Sequence, residues 1–328
     1  MDDENIIISK KKSKKILLLI FHLLIFSVLL NIFLVINLNN AKYTGDALRL
    51  INSSGNILID SDVIQNNLND TFIIHYDGLK DQLLQEIEKY NATDNVGIFL
   101  QDIHTGTWLG INEREGFISA SLLKIPIMMA ILKKVERGEI KLTDKITLTQ
   151  EELNNQYGNL YKEGAGTQIS VEDLLKAMIL SSDNTAKNAL VSQLSNAEMD
   201  AVLNHVGISM GNDGVISPRD YMRMFKALYY STFLSPDLSE KALDLTTNTQ
   251  ENDLISAGLP YEIQVAHKFG IIEDKKQLHD CGIVYYPNNP YMLCVMTKDI
   301  ELSDSKNLIQ NISKEVYETI DKIENKKA

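Results

Sequence analysis

The 328-residue sequence predicts an α+β domain: an antiparallel sheet flanked by helices, with a largely helical subdomain, preceded by one transmembrane helix. Three observations lead there. A long apolar run lies near the N-terminus, strand-like patterns open and close the remainder, and helical periodicities follow one another between them without repeat or low-complexity tract.

Residues 1–15 form a basic tail in which Lys10, Lys11, Lys12, Lys14 and Lys15 cluster. From Ile16 to Leu38 only His22, Ser27, Asn31 and Asn37 interrupt the apolar run, which is long enough to cross a bilayer as a helix. With the lysines before it and no comparable cluster after it, the N-terminus is expected in the cytoplasm and the rest outside, in a single-pass cell-membrane protein. A cleaved signal peptide fits less well, because the apolar stretch is long and no small-x-small cleavage site follows. Residues 39–75, rich in Asn, Asp, Ser and short aliphatics, show no sustained period and read as a stalk.

The domain is expected over 76–328. Leu79–Tyr90 has helical spacing; Val96–Leu100 and Thr107–Ile111 read as strands joined by a His-Thr-Gly turn. Helical patterns follow at Leu122–Arg137, Val171–Leu180, Asn184–Leu194, Ala197–His205 and Pro218–Tyr230. Strands at Gly282–Tyr286 and Tyr291–Thr297 flank Pro-Asn-Asn-Pro, a turn signal, and Asn307–Lys322 supplies a closing helix.

The net charge of −12, from 32 Lys and Arg against 44 Asp and Glu, argues against nucleic-acid binding, because phosphate recognition needs clustered cations and the one dense cluster adjoins the anchor. Cys281 and Cys294 are too few for a disulfide scaffold and lack the close pairs of a zinc site. Their place on two neighbouring strands allows a pair, but core thiols are the favoured reading. No metal or cofactor is expected.

Ser121-Leu-Leu-Lys124 opens a predicted helix, so the hydroxyl and the amine lie on one face within reach of each other. A serine becomes a nucleophile when something takes its proton, and a desolvated lysine can do so. Ser182-Asp183-Asn184 sits in a tight turn between two predicted helices, where a plain capping role for Ser182 or Asp183 is the alternative. Lys268-Phe269-Gly270 follows on a predicted strand.

This ordered set, with its flanks Ser119-Ala-Ser-Leu-Leu-Lys-Ile-Pro126, Ser182-Asp-Asn-Thr-Ala-Lys-Asn188 and Asp280-Cys-Gly-Ile-Val-Tyr-Tyr-Pro287, resembles class A β-lactamases and penicillin-binding proteins over about residues 75–320. The resemblance implies a β-lactamase/transpeptidase-like fold and a serine hydrolase forming an acyl-enzyme with β-lactams or D-alanyl-D-alanine-type cell-wall peptides. It implies Ser121 as nucleophile, Lys124 as proton acceptor and Ser182 as the proton donor to the departing nitrogen. Asn184 would hold Lys124 and the substrate amide, Lys268 and Gly270 would border the substrate carboxylate, and the N–H groups of Ser121 and Ile271 would stabilise the oxyanion. Tyr157 or Tyr161, on the segment before Ser182, either walls the cleft or is an ordinary surface tyrosine.

Two departures stand out. No Glu occurs between Glu198 and Glu240, where the family carries its deacylating glutamate on a longer loop; Asp213 and Asp220 remain nearby, Asp213 reading better as a turn residue. Phe269 replaces a hydroxyl residue that binds the substrate carboxylate, a hydrogen bond worth about 1.5–3 kcal/mol. His267 either compensates or is an inert strand residue. Acylation is therefore expected to outrun deacylation, and a non-hydrolytic β-lactam- or peptidoglycan-binding or sensing domain is the alternative.

Overall fold

The computed structural model describes residue 76 and residues 78–208, 214–250 and 252–327, the side chains of 326 and 327 excepted. The expected tail, anchor and stalk, and Asp213, lie outside the described residues. Among those described, no helix is long and apolar enough to cross a membrane.

Five antiparallel strands form the main sheet in the order β2-β1-β9-β8-β7: β1 Val96–Asp102, β2 Trp108–Ile111, β7 Val265–Ile272, β8 Gln277–Val284 and β9 Tyr291–Thr297. First and last segments thus meet at the centre, as strands at both ends of the chain predict. β8 and β9 are buried along their whole length, and β9 accordingly reads as a near-continuous apolar run. One face carries α1 (Leu79–Glu88) and the C-terminal α8 (Leu302–Lys327). Leu79, Leu83 and Ile87 on one and Leu308, Ile312 and Val316 on the other recur every four residues and are fully buried. Each is a site where truncation to Ala costs about 2–5 kcal/mol.

Against the other face lie α6 (Pro218–Tyr229) and the short strand β3 (Phe117–Ile118). Gly97 makes that approach possible, since a Cβ there would come within 2.8 Å of both Phe117 and Pro218 side-chain atoms. β3 pairs with β6 (Val215–Ile216), and β4 (Lys145–Thr147) with β5 (Gln168–Ser170). Among the described residues the remaining α-helices are α2 (Lys124–Glu136), α3 (Val171–Leu180), α4 (Asn184–Val191), α5 (Asn196–His205) and α7 (Pro236–Thr247).

Three expectations are corrected. Helix α7 has no counterpart in the periodicity, because small and polar residues, Ser239, Ala242 and Thr246, line much of its buried face. β8 begins at Gln277 rather than Gly282, its first half hidden by Gln277, His279 and Asp280, which are buried with their side chains hydrogen-bonded to backbone groups of Ile118 and Ile255. Cys281 and Cys294, read as core thiols, face each other in register on β8 and β9 and are disulfide-bonded.

Candidate active site

The turn that carries Ser121 begins at β3. Neither backbone polar group of Ile118 is left to its short strand: its N–H donates to Gln277 Oε1 (3.2 Å), and its carbonyl accepts from His279 Nε2 (2.9 Å). His279 also accepts from the Thr297 N–H at Nδ1, and burial lowers its pKa to about 4, so its ring is neutral with the proton on Nε2. Two side chains of β8 thus hold the segment that leads to Ser121. Ala120 follows with φ 50°, a left-handed conformation that costs a non-glycine residue about 1–3 kcal/mol. Ser121 lies in a 3₁₀ turn, Ala120–Leu123, and Lys124 is the first residue of α2, a tighter entry than the single predicted helix. The Tyr221 hydroxyl donates to the Leu122 carbonyl at 3.2 Å and fixes the turn from α6.

Lys124 is 1 % exposed, and its Nζ reaches four oxygens: Ser121 Oγ (3.0 Å), Ser182 Oγ (2.9 Å), the Ser182 carbonyl (2.6 Å) and Asn184 Oδ1 (2.9 Å). Burial above all, then the positive charges of Lys268 and Lys187, lower its pKa from 10.5 to about 6. At neutral pH it is an uncharged amine. The carbonyl and amide oxygens can only accept, so they take its two hydrogens, and its lone pair is left for the serine hydroxyls. That is the electronic state a proton acceptor for Ser121 requires.

The partners of Lys124 come from the turn between α3 and α4. Ser182 has φ 52° and is buried, its side chain turned inward. Asp183, not Ser182, caps α4: its Oδ1 accepts from the Ala186 N–H (2.9 Å) and its Oδ2 from the Leu160 N–H (2.8 Å). Residues 152–160 are stitched to the same turn through Asn184 N–H to the Tyr157 carbonyl and Asn188 Nδ2 to the Glu152 carbonyl. Gly158, at φ 86°, cannot be replaced freely, because a Cβ would lie 2.0 Å from Asp183 Oδ2.

The opposite wall is β7, an edge strand of the sheet. Gly270 lets it approach the Ser121 turn: a Cβ would stand 3.1 Å from Ala120 Cβ and 3.2 Å from the Ser119 carbonyl. Lys268 is fully buried; its Nζ donates to the Phe269 carbonyl (3.2 Å) and sits 4.1 Å from the Phe269 ring centroid. Phe269 in turn meets Tyr157, ring centroids 6.0 Å apart. Ile271, next along the strand, is half-buried, its side chain packed on the core.

Ser121, Lys124, Ser182 and Asn184 are therefore brought together, with Tyr157, Lys268 and Gly270 in the surrounding walls. His267 does not compensate for Phe269: it is buried between Asp280 Oδ1 (2.7 Å from Nδ1) and Thr249 Oγ1 (2.9 Å from Nε2). Tyr161 stacks under the neighbouring Lys162, and Asp220 is committed to Ser217 and Arg223 at the start of α6. His279, Gln277 and Gly158 escape sequence reading, their function resting on contacts between distant segments; Lys187 was visible beside Asn184, one helical turn on. A separate polar groove of about 440 Å³ between α1 and α8, lined by Glu86, Lys89, Glu315 and others, contains none of these residues.

Known proteins resemble this chain over most of the described residues. A profile of the beta-lactamase enzyme family matches residues 78–320. A beta-lactamase of Bacillus licheniformis is 24% identical over 265 residues, covering 74% of this chain and 84% of that one. A D-alanyl-D-alanine carboxypeptidase, DacF of Bacillus subtilis, matches over a shorter stretch, 28% identical over 91 residues, 28% of this chain and 23% of that one. Among solved structures, PBP-A superposes with a TM-score of 0.68 at 26% identity, over 76% of this chain and 98% of that one. A point mutant of PBP-A has been solved as an acyl-enzyme complex with penicillin G, with TM-score 0.68 and 26% identity over 75% of this chain and 97% of that one. The chain belongs to the beta-lactamase enzyme family and is a serine hydrolase.

Proposed function

We propose that the protein is a membrane-anchored, extracytoplasmic penicillin-binding hydrolase that is acylated at Ser121 by β-lactams or D-alanyl-D-alanine-type peptides and deacylates slowly. One observation carries the reading: a single buried amine, Lys124 Nζ, stands within hydrogen-bonding distance of both Ser121 Oγ (3.0 Å) and Ser182 Oγ (2.9 Å). Ser121 Oγ forms the bond to the carbonyl carbon as its proton passes to Lys124. The carbon–nitrogen bond then breaks, and the proton travels through the Ser182 hydroxyl to the departing nitrogen. Asn184 orients Lys124, and the Ser121 and Ile271 N–H groups are assigned to the oxyanion. Slow deacylation rests on the missing glutamate and on Asp220 being tied to a helix cap. The lysine-flanked apolar run 16–38 supports the anchor and the external location.

The test adds a membrane-impermeant fluorescent penicillin to intact cells of a single-membrane host expressing the full chain. A labelled band of 37.0 kDa, absent in Ser121→Ala, is the expected result. An unlabelled band in intact cells that becomes labelled after lysis would refute the external location; no label in either would refute acylation.

A further inference from the structure

We infer that Phe269, braced by Tyr157, is a lid on the Lys268 ammonium, so that a free carboxylate beside the scissile bond adds little to the acylation of Ser121. Donors with an amidated or esterified end are then accepted alongside the free-acid β-lactams and peptide termini of the proposed reaction. The inference deepens the proposed acylation at Ser121 and rests on it.

Phe269 and Lys268 are neighbours on an edge strand, and the ammonium lies 4.1 Å from the ring centroid, within the range in which a cation is attracted to an aromatic face. The same Nζ donates to the Phe269 carbonyl, and Lys268 has no exposed surface. A carboxylate drawn to this amine competes with the ring that already lies against it. Phe269 is itself 5 % exposed and packed in the main core, so its displacement uncovers apolar surface as well as breaking the cation–ring contact.

Tyr157 makes the arrangement a closure rather than a local rotamer. Its ring comes from the segment stitched to the Ser182 turn, the opposite side of the cleft from β7, and the two rings meet with centroids 6.0 Å apart. A hydroxyl residue at 269 would donate to an anion; phenylalanine cannot, and its ring lies against the Lys268 amine instead. An uncharged donor meets no such penalty, since it needs neither the amine nor its desolvation.

The experiment measures second-order acylation rate constants of the full chain in detergent with benzylpenicillin and with its methyl ester, for the wild type and Phe269→Thr. In both reactions the chemistry is the same: Ser121 Oγ bonds to the lactam carbonyl, the ring carbon–nitrogen bond breaks, and the serine proton ends on that nitrogen. The expected result is a free-acid to ester ratio that rises at least about tenfold in Phe269→Thr, the size of one regained charged hydrogen bond, through faster reaction of the free acid. A ratio that stays within about threefold of the wild type overturns the lid. Should Phe269→Thr unfold, Phe269→Leu keeps apolar volume without the aromatic face and is expected to raise the ratio in the same direction; no rise there overturns the lid equally. Failure of both donors to acylate wild-type Ser121 would instead overturn the acylation reading and the lid with it.

Discussion

Acidification from pH 7 to pH 5 is expected to slow acylation of Ser121 about tenfold, because it converts Lys124 from amine to ammonium. Its pKa of about 6 leaves about nine-tenths of the lysine neutral at pH 7 and about one-tenth at pH 5. A lysine at the ordinary 10.5 would be neutral in only about one molecule in three thousand at pH 7, and acylation would climb steadily to pH 10. The perturbation that separates these cases is Lys187→Met. Lys187 lies one turn from Asn184 on α4, and its positive charge helps to depress Lys124, after burial and Lys268. Removing it moves the midpoint of the profile to higher pH and leaves the plateau rate unchanged. The assay is the rate of penicillin labelling at fixed intervals from pH 5 to pH 9 for both proteins. A flat profile from pH 5 to 8, a midpoint near 10, or a Lys187→Met midpoint identical to the wild type would each refute a neutral Lys124 as the base.

Three further outcomes follow from the structure. Gly158→Ala places a Cβ 2.0 Å from Asp183 Oδ2, displacing the cap of α4; the loss is expected to be about 1–2 kcal/mol in denaturant unfolding together with slower acylation, and wild-type behaviour in both would contradict it. His279 is held neutral with a pKa of about 4 against 6.5 when unperturbed. Between those values the unfolded chain binds a proton that the folded one does not, so stability falls as pH drops from about 6.5 to about 4, by about 3 kcal/mol in all; His279→Gln should flatten this part of the unfolding–pH curve, and an unchanged slope would count against it. The Cys281–Cys294 disulfide, with a sequence separation of 13, should contribute about 3 kcal/mol by restricting the unfolded chain; equal denaturation midpoints for oxidised protein and the Cys281→Ala/Cys294→Ala double variant would show that it does not.

What the sequence reveals and what it conceals divide along the range of the interactions. Ser121 with Lys124, and Ser182 with Asn184, are local patterns whose spacing and order survive in one dimension, and the structure joins them through a single Nζ. The helices with broad apolar stripes, such as α1 and α8, are legible for the same reason. β8 is legible only in its second half: His279 and Asp280 are buried because Ile118, Thr297, His267 and Ile255 satisfy them from elsewhere in the chain. The disulfide depends on the register that sets Cys281 opposite Cys294, which no spacing rule supplies. His267 could be placed only once its face of β7 was known, and Phe269, visible as a departure from the family pattern, acquires meaning only from the Tyr157 ring across the cleft.

The most direct test of the central claim, that the site is built for acylation more than for release, is mass spectrometry of the full chain after mixing with benzylpenicillin. Intact mass is followed over hours and the modified residue located by peptide mapping, with Ser121→Ala as control. The structure predicts one penicilloyl group, on Ser121, that persists over many minutes. An adduct on any other residue, or none in the wild type with no penicillin consumed, would contradict the assignment of Ser121; rapid consumption of penicillin with no adduct accumulating would contradict slow deacylation.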